Sequence, residues 1–141
     1  MVMPDDGAAA HTVLVVEDEA PNRALVRAVL SRSTEPGVRD VRLVEAPDLA
    51  TARAILDSQQ IAVILLDVRL PDGNGLDLAR ELRNRDGPER PRVLILSASV
   101  LPNEQVAALA SGADGFLAKP YRPADLVATV IGLLRKDSRA S

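Results

Sequence analysis

The sequence contains no cysteine and no tryptophan, and Phe116 and Tyr121 are its single phenylalanine and tyrosine. The absence of cysteine excludes disulfides, thiol catalysis and thiolate metal sites. With so few large aromatic rings, the core must be built from Leu, Val, Ile and Ala, which carry the 47% hydrophobic content. A core of that kind favours parallel strands covered by helices.

An excess of positive charge and a long apolar segment are also lacking. The net charge of −3 disfavours nucleic acid as a direct partner, because nucleic acids usually select basic surfaces. The longest apolar run is far too short to span a membrane, and the acidic residues 1–7 lack the apolar region of a signal peptide. We therefore expect a cytoplasmic protein without a membrane or a direct nucleic-acid partner.

Apolar runs and helical patterns alternate along the 141 residues. Strands are predicted at residues 12–16, 41–45, 62–66, 93–96 and 115–118, with the second at a sheet edge. A first helix with Pro21 in its first turn is followed by helices at residues 48–56, 75–82, 102–110 and 123–134. Five βα units predict an α/β fold, a single flavodoxin-like doubly wound (βα)5 sheet in strand order 2-1-3-4-5 with helices on both faces.

Several local features complete this prediction. In the first helix, Leu25, Ala28 and Val29 fall at helical spacing, and Gly112 is expected to end the fourth helix. Residues 34–37 and 86–91 are predicted loops. The domain is expected to span residues 11–135, with a disordered lead at 1–10 and a flexible tail at 136–141.

Polar side chains stand where the predicted strands end. Glu17 and Asp18 follow the first strand, Asp67 ends the third, Ser97 follows the fourth and Lys119 the fifth. The carboxyl ends of parallel strands meet at one edge, so these side chains are expected to converge. Neighbouring carboxylates repel one another unless a cation joins them, and a divalent metal with oxygen ligands is the simplest relief. This pattern indicates a site for Mg²⁺ and phosphate.

These groups suit phosphoryl transfer onto a carboxylate. Asp67 would act as the nucleophile and form an aspartyl phosphate, while Glu17 and Asp18 would hold Mg²⁺. Lys119 and the Ser97 hydroxyl would each contact a phosphoryl oxygen. Three other interpretations stay open: solvated acidic loops without a site, a phosphorylation-independent binding scaffold, and a small phosphatase. The phosphatase would need a second acid two residues after Asp67, where Arg69 stands.

These residues resemble the receiver domain of two-component response regulators over about residues 11–135. The resemblance is carried by residues 13–19, 65–75, 96–98 and 112–121. It implies that Asp67 accepts a phosphoryl group from a histidine kinase or a histidine phosphotransfer protein, without the chain being a conventional enzyme. It also implies Mg²⁺ ligation by the acidic residues and the Arg69 backbone carbonyl.

The resemblance further implies a switch. Ser97 would move toward the phosphate, and Phe116 would rotate into the vacated space. The change would reach an unknown downstream protein through the surface of the fourth helix, fifth strand and fifth helix, with candidates Val100, Leu101, Val106, Tyr121 and Arg122. The phosphodonor would dock on the exposed start of the first helix, at Ala20, Pro21, Asn22, Arg23 and Val26. The Lys119–Pro120 peptide is expected to be cis.

Overall fold

The computed structural model describes residues 11–85, 90–98 and 102–139, with side chains described as far as Arg135. Within these ranges a single five-stranded parallel sheet forms the centre of the molecule. Its strands are β1 (Thr12–Val16), β2 (Arg42–Ala46), β3 (Val63–Asp67), β4 (Arg92–Ser97) and β5 (Gly115–Ala118). Their order is β2-β1-β3-β4-β5, so the predicted fold class and the edge position of β2 are confirmed.

Helices cover both faces of this sheet. They are α1 (Ala20–Ser31), α2 (Leu49–Ser58), α3 (Gly75–Arg83), α4 (Pro102–Ala110) and α5 (Pro123–Arg139). A four-residue helix, Pro36–Arg39, begins inside the predicted loop 34–37, so that prediction is wrong for Pro36 and Gly37. The backbone of α5 continues past the predicted domain limit to Arg139. The predicted lead at residues 1–10 lies outside the described residues.

The alternation of side chains along each strand divides the core into two layers. Leu14 and Val16 of β1 pack toward α2, α3 and α4, whereas Val13 and Val15 pack toward α1 and α5. Successive strand residues point to opposite faces, so a strand covered on both sides must be apolar at nearly every position. This requirement explains why the strands appear in the sequence as continuous apolar runs.

The apolar series predicted for α1 is only partly turned toward the core, where Val29 packs and Leu25 does not. Leu25 is 51% exposed, whereas Val26 and Leu30 are 3% and 2% exposed. Both Leu25 and Val26 begin an apolar series at helical spacing, so periodicity did not identify the inward face. The packing of α1 against α5 determines the inward face, because Val26 and Leu30 belong to the same buried cluster as Leu126 and Val130.

Two aspartates satisfy the first backbone N–H groups of α2. The Asp72 carboxylate accepts hydrogen bonds from the backbone N–H groups of Leu49 (2.9 Å) and Ala50 (3.0 Å). Asp48 accepts one from Thr51 at 2.8 Å. Asp72 lies in the turn between Arg69–Leu70 and Gly73–Asn74, which pair as a short antiparallel ladder after β3. The segment that follows Asp67 is thereby attached to the start of α2.

The Asp72 contacts give stability a defined pH dependence. Hydrogen bonds from the backbone N–H groups of Leu49 and then Ala50 lower the pKa of Asp72. A carboxylate with a lowered folded-state pKa stabilises the fold above its ordinary pKa of about 3.9 and loses that contribution as the pH falls through the folded value. We expect Asp72→Asn to unfold at a lower urea concentration than the wild type near neutral pH, with a difference that shrinks in acid.

The experiment is urea unfolding followed by circular dichroism from neutral pH downward. Asp40→Asn is the matched control, since its carboxylate is 67% exposed and pairs only weakly, at 3.5 Å, with its neighbour Arg39. A difference between Asp72→Asn and the wild type that stays constant across the whole pH range would contradict the prediction.

Candidate functional site

Three carboxylates meet at the carboxyl edge of the two central strands. Glu17 and Asp18 come directly after β1, and Asp67 is the last residue of its neighbour β3. One carboxylate oxygen from each residue lies within 4.8 Å of the other two. Glu17 is buried, Asp67 is half-buried and Asp18 is exposed. The convergence predicted from the strand ends is therefore present in the fold.

Lys119 follows β5 and reaches into this acidic cluster. Its Nζ donates a hydrogen bond to Glu17 Oε1 at 2.7 Å and lies 3.5 Å from Asp67 Oδ2. Burial opposes the charged ammonium, but the hydrogen bond to Glu17 and the charge of Asp67 outweigh it and raise the pKa of Lys119. The following Lys119–Pro120 peptide is cis, as predicted.

The two carboxylates that share this lysine differ in their electrostatics. Burial raises the pKa of Glu17, but the hydrogen bonds from Lys119 Nζ and the Glu19 backbone N–H outweigh it, and the net pKa is lowered. For Asp67, burial raises the pKa, Lys119 opposes this at its longer distance, and the Glu17 charge adds to the rise. The net pKa of Asp67 is therefore raised, because the positive charge of Lys119 does not fully compensate for burial and the charge of Glu17.

This donor set fits a magnesium ion. Carboxylate oxygens are hard ligands, and Mg²⁺ is usually held in proteins by one or two carboxylates together with water and phosphate oxygens. Lys119 supplies one positive charge against these three carboxylates, so a divalent cation would complete the charge balance. Glu17, Asp18 and Asp67 are the residues that would hold it.

A cavity of about 600 Å³ opens over the cluster, and its lining includes other predicted residues. Ser97, the buried last residue of β4, lines it, as does Arg69 in the segment after β3. Glu104, in the first turn of α4, also lines the cavity and was not predicted. Glu104 lies inside a helix and not at the end of a strand, so the strand-end pattern could not identify it.

Phe116 lies on the same face of the sheet as Ser97. Register pairs Ser97 with Ala118 and Ile95 with Phe116, so the phenylalanine is two residues back along the neighbouring strand. Its side chain is half-buried and packs against the core layer beneath α2, α3 and α4. This placement suits the predicted partnership of the two side chains, while their movement stays a prediction.

Gly75 fits closely against the backbone of Asp67. Its N–H donates to the Val68 carbonyl at 2.7 Å, and a Cβ at this position would lie 2.1 Å from the Asp67 carbonyl oxygen. Any side chain at residue 75 would therefore displace the end of β3. The turn between β3 and α3 thus depends on glycine at this point.

Arg23 was expected on an exposed docking surface together with Val26, and the structure corrects both positions. Val26 is buried in the core, and the Arg23 side chain is only 19% exposed. Arg23 Nη1 donates to the Glu17 backbone carbonyl at 2.7 Å, and Nε donates to Glu45 Oε1 at 3.2 Å. Ala20 and Pro21 are exposed, as predicted, and Asn22 is half-buried.

The expected output surface carries exposed apolar side chains. On α4, Val106 is 67% exposed and Leu109, which was not predicted, is 54% exposed. Arg122 is exposed and Tyr121 half-buried, whereas Val100 and Leu101 lie outside the described residues.

A second cavity, of about 360 Å³, lies between the core and the segment after β5. Lys119, Pro120 and Tyr121 line one side, and its other walls include Val26 and Leu65. Burial raises the pKa of the Tyr121 hydroxyl. The tyrosine ring therefore stands beside the lysine that pairs with the acidic cluster.

No helix among the described residues is long and apolar enough to cross a membrane.

Comparison with known proteins identifies the family. The family model for the response regulator receiver domain matches residues 13–131. The phosphate regulon transcriptional regulatory protein PhoB of Klebsiella pneumoniae is 38% identical over 133 residues, covering 92% of this chain and 54% of that protein. The KDP operon transcriptional regulatory protein KdpE of Escherichia coli is 33% identical over 126 residues, covering 89% and 52%. The chain thus spans about half the length of these curated relatives.

Solved structures agree with this assignment. The chemotaxis response regulator CheY4 of Vibrio cholerae superposes with a TM-score of 0.76 at 26% identity, covering 89% of this chain and 99% of that one. The receiver domain of the Francisella response regulator 1452 gives a TM-score of 0.78 at 24% identity, covering 89% and 98%, and supports the fold alone. The chain belongs to the response-regulator receiver domain family of two-component signal transduction.

Proposed function

We propose that this chain is a phosphoacceptor domain in which the Asp67 carboxylate takes a phosphoryl group from a histidine kinase or a histidine phosphotransfer protein. The observation that carries the proposal is the position of Lys119 Nζ, 2.7 Å from Glu17 Oε1 and 3.5 Å from Asp67 Oδ2 at the edge of the acidic cluster. A half-buried carboxylate that lies next to a cation and lines a cavity suits a nucleophile toward phosphorus.

In the proposed reaction an Asp67 carboxylate oxygen attacks phosphorus, the phosphorus–nitrogen bond of the donor phosphohistidine breaks, and an acyl phosphate forms. Lys119 stabilises the charge on one phosphoryl oxygen, and the Ser97 hydroxyl donates to another. Glu17, Asp18, Asp67 and the Arg69 backbone carbonyl would hold Mg²⁺. When bound, Mg²⁺ supplies positive charge that neutralises the phosphoryl oxygens.

Phosphorylation would then shift the domain between two conformations. The acyl phosphate would carry about −1.5 to −2 charges in place of the single negative charge of the Asp67 carboxylate, and Ser97 and Phe116 would relay this change to the surface formed by α4, β5 and α5. The exposed side chains of Val106 and Leu109 on α4 supply apolar contact area for a downstream protein. Only contacts that differ between the two conformations would respond to the phosphoryl group.

The type of output is inferred from the curated relatives. PhoB and KdpE are transcriptional regulatory proteins, so we propose a regulatory output through protein partners rather than turnover of a substrate. They extend over about twice the matched length, and the absence of direct nucleic-acid contact stays a prediction for this domain. A cytoplasmic location likewise stays a prediction.

The proposal is tested by intact-mass measurement after incubation with acetyl phosphate, with and without Mg²⁺. We expect one phosphoryl adduct that requires Mg²⁺ and disappears in Asp67→Asn, because the amide removes the nucleophilic oxygen charge while keeping the side-chain shape. An adduct that persists in Asp67→Asn would contradict the assignment of the acceptor. Circular dichroism of both proteins controls for folding.

A phosphorylation-independent binding scaffold is the second candidate. The exposure of Val106 and Leu109 favours it, because this apolar surface is available without any phosphoryl group. Partner binding that is equal for the wild type, with and without acetyl phosphate, and for Asp67→Asn would favour the scaffold.

A further inference from the structure

We propose that Arg23 is a positioning residue for the metal site, and that Glu45 of the edge strand β2 anchors it so that the Glu17–Asp18 peptide is held in one orientation. This inference rests on the proposed function, because it concerns how the acidic pair is arranged to bind Mg²⁺. It gives Arg23 a role inside the domain in place of the docking role expected from the sequence.

Both backbone polar groups of Glu17 are hydrogen-bonded. Its N–H is bonded to β2, and its carbonyl is bonded to the Arg23 side chain, which in turn pairs with Glu45 of β2. The Glu17 N–H donates to the Ala46 carbonyl at 3.0 Å, which extends the β1–β2 ladder by one bond. The Glu17 carbonyl accepts from Arg23 Nη1 at 2.7 Å. Because that carbonyl belongs to the planar peptide joining Glu17 to Asp18, fixing it also fixes the start of Asp18.

The anchor of Arg23 is itself constrained. Glu45 stands opposite Val15 in the sheet register, and its Oε1 accepts from Arg23 Nε at 3.2 Å. Its other oxygen, Oε2, accepts from Arg27 Nε at 2.8 Å and Nη2 at 2.6 Å. Glu45 is 26% exposed, so the carboxylate is partly shielded from water and held from both sides.

The arginine side chain is required by this geometry. A guanidinium presents Nε and Nη1 in one rigid plane, so a single group reaches the Glu45 carboxylate and the Glu17 carbonyl together. A lysine has one nitrogen on a flexible chain, so it would keep the positive charge but could not contact both oxygens in the same fixed geometry. Outer partners that orient metal ligands typically contribute about 10–100-fold to metal affinity.

The experiment measures Mg²⁺ affinity by calorimetric titration in the absence of phosphodonor, for the wild type, Arg23→Gln and Arg23→Lys. We expect about tenfold weaker binding in both variants, with lysine failing to rescue. At saturating Mg²⁺ the rate of phosphorylation by acetyl phosphate should return to within about twofold of the wild type, because Arg23 acts only through the ligands.

Matched variants separate positioning from general stability. Arg80→Gln removes an arginine that is 54% exposed and pairs with Asp77 on α3, outside this network, and should leave the Mg²⁺ affinity unchanged. Glu45→Gln should weaken Mg²⁺ binding, and the double variant with Arg23→Gln should be no weaker than Arg23→Gln alone. If Arg23→Gln fails to fold, Glu45→Gln carries the test, since it keeps the arginine.

The outcomes are distinguishable. A wild type that binds no Mg²⁺ would overturn the proposed function and this inference with it. A wild type that binds Mg²⁺ with the same affinity as a folded Arg23→Gln variant would overturn this inference alone. If Arg23→Gln has a lower melting temperature but the same Mg²⁺ affinity as the wild type, this inference is also overturned, because Arg23 then has only a structural role.

Discussion

Replacing Gly75 with alanine is expected to reduce the rate of phosphorylation by acetyl phosphate about a hundredfold, because displacement of a reacting group by about 1 Å is enough for such a loss. The new Cβ would lie 2.1 Å from the Asp67 carbonyl oxygen, 3.1 Å from its carbon and 3.2 Å from Leu66 Cγ. Two of these atoms are backbone, so relief requires movement of the strand end that carries Asp67. We also expect a loss of about 1–3 kcal/mol in the free energy of unfolding.

Gly132→Ala in α5 is the control for the same chemical change. A Cβ at residue 132 meets nothing within 4 Å, so alanine there should stabilise the helix by about 1 kcal/mol and leave phosphorylation unchanged. Intact-mass time courses and urea unfolding of the two variants provide the comparison. Phosphorylation of Gly75→Ala at the wild-type rate would show that the end of β3 does not fix the acceptor.

Lys119→Gln is expected to change Mg²⁺ affinity and phosphorylation in opposite directions. The ammonium lies 2.7 Å from Glu17 and 3.5 Å from Asp67, where it competes with a metal ion for the same oxygens. Its removal should tighten Mg²⁺ binding about three- to tenfold, because two carboxylates lose their counter-charge. The rate of phosphorylation at saturating Mg²⁺ should fall about a hundredfold, as one cation for the phosphoryl oxygens is lost.

Arg122→Gln provides the matched control, since it removes one positive charge from the same segment at an exposed side chain. We expect it to leave both quantities near wild-type values. Calorimetric titration gives the affinity, and quantified mass adducts give the rate. Weaker Mg²⁺ binding in Lys119→Gln would mean that the lysine supports the acidic cluster chiefly by holding Glu17 in place.

The strands and the convergence of the acidic residues were predictable, and for the same reason. A parallel strand with helices on both faces must be apolar at almost every position, so β1 is visible as an apolar run followed by Glu17 and Asp18, and β3 as one that ends in Asp67. The fold then requires the carboxyl ends of neighbouring strands to meet at one edge. The convergence of Glu17, Asp18 and Asp67 therefore follows from their positions at the strand ends, without knowledge of any side-chain conformation.

The contacts that position those residues were not predictable in this way. The Asp72 cap on α2 and the Arg23–Glu45 pair join segments separated by about two dozen residues, and depend on how side chains meet between elements. The face of α1 was partly misassigned for a related reason: Leu25 and Val26 both begin apolar series, and only the packing of α5 distinguishes them. The apolar pattern of the sequence identifies the helix or strand to which a residue belongs, whereas the packing between elements decides which residues it contacts.

The position of Tyr121 makes the protein its own spectroscopic probe. The sequence has no tryptophan and one tyrosine, so tyrosine emission arises from a single ring and is not masked by tryptophan. That ring lines the cavity beside Lys119, which itself contacts Glu17 and Asp67. A change in tyrosine fluorescence on adding Mg²⁺ or a phosphodonor would therefore report on one known location, with no label to introduce.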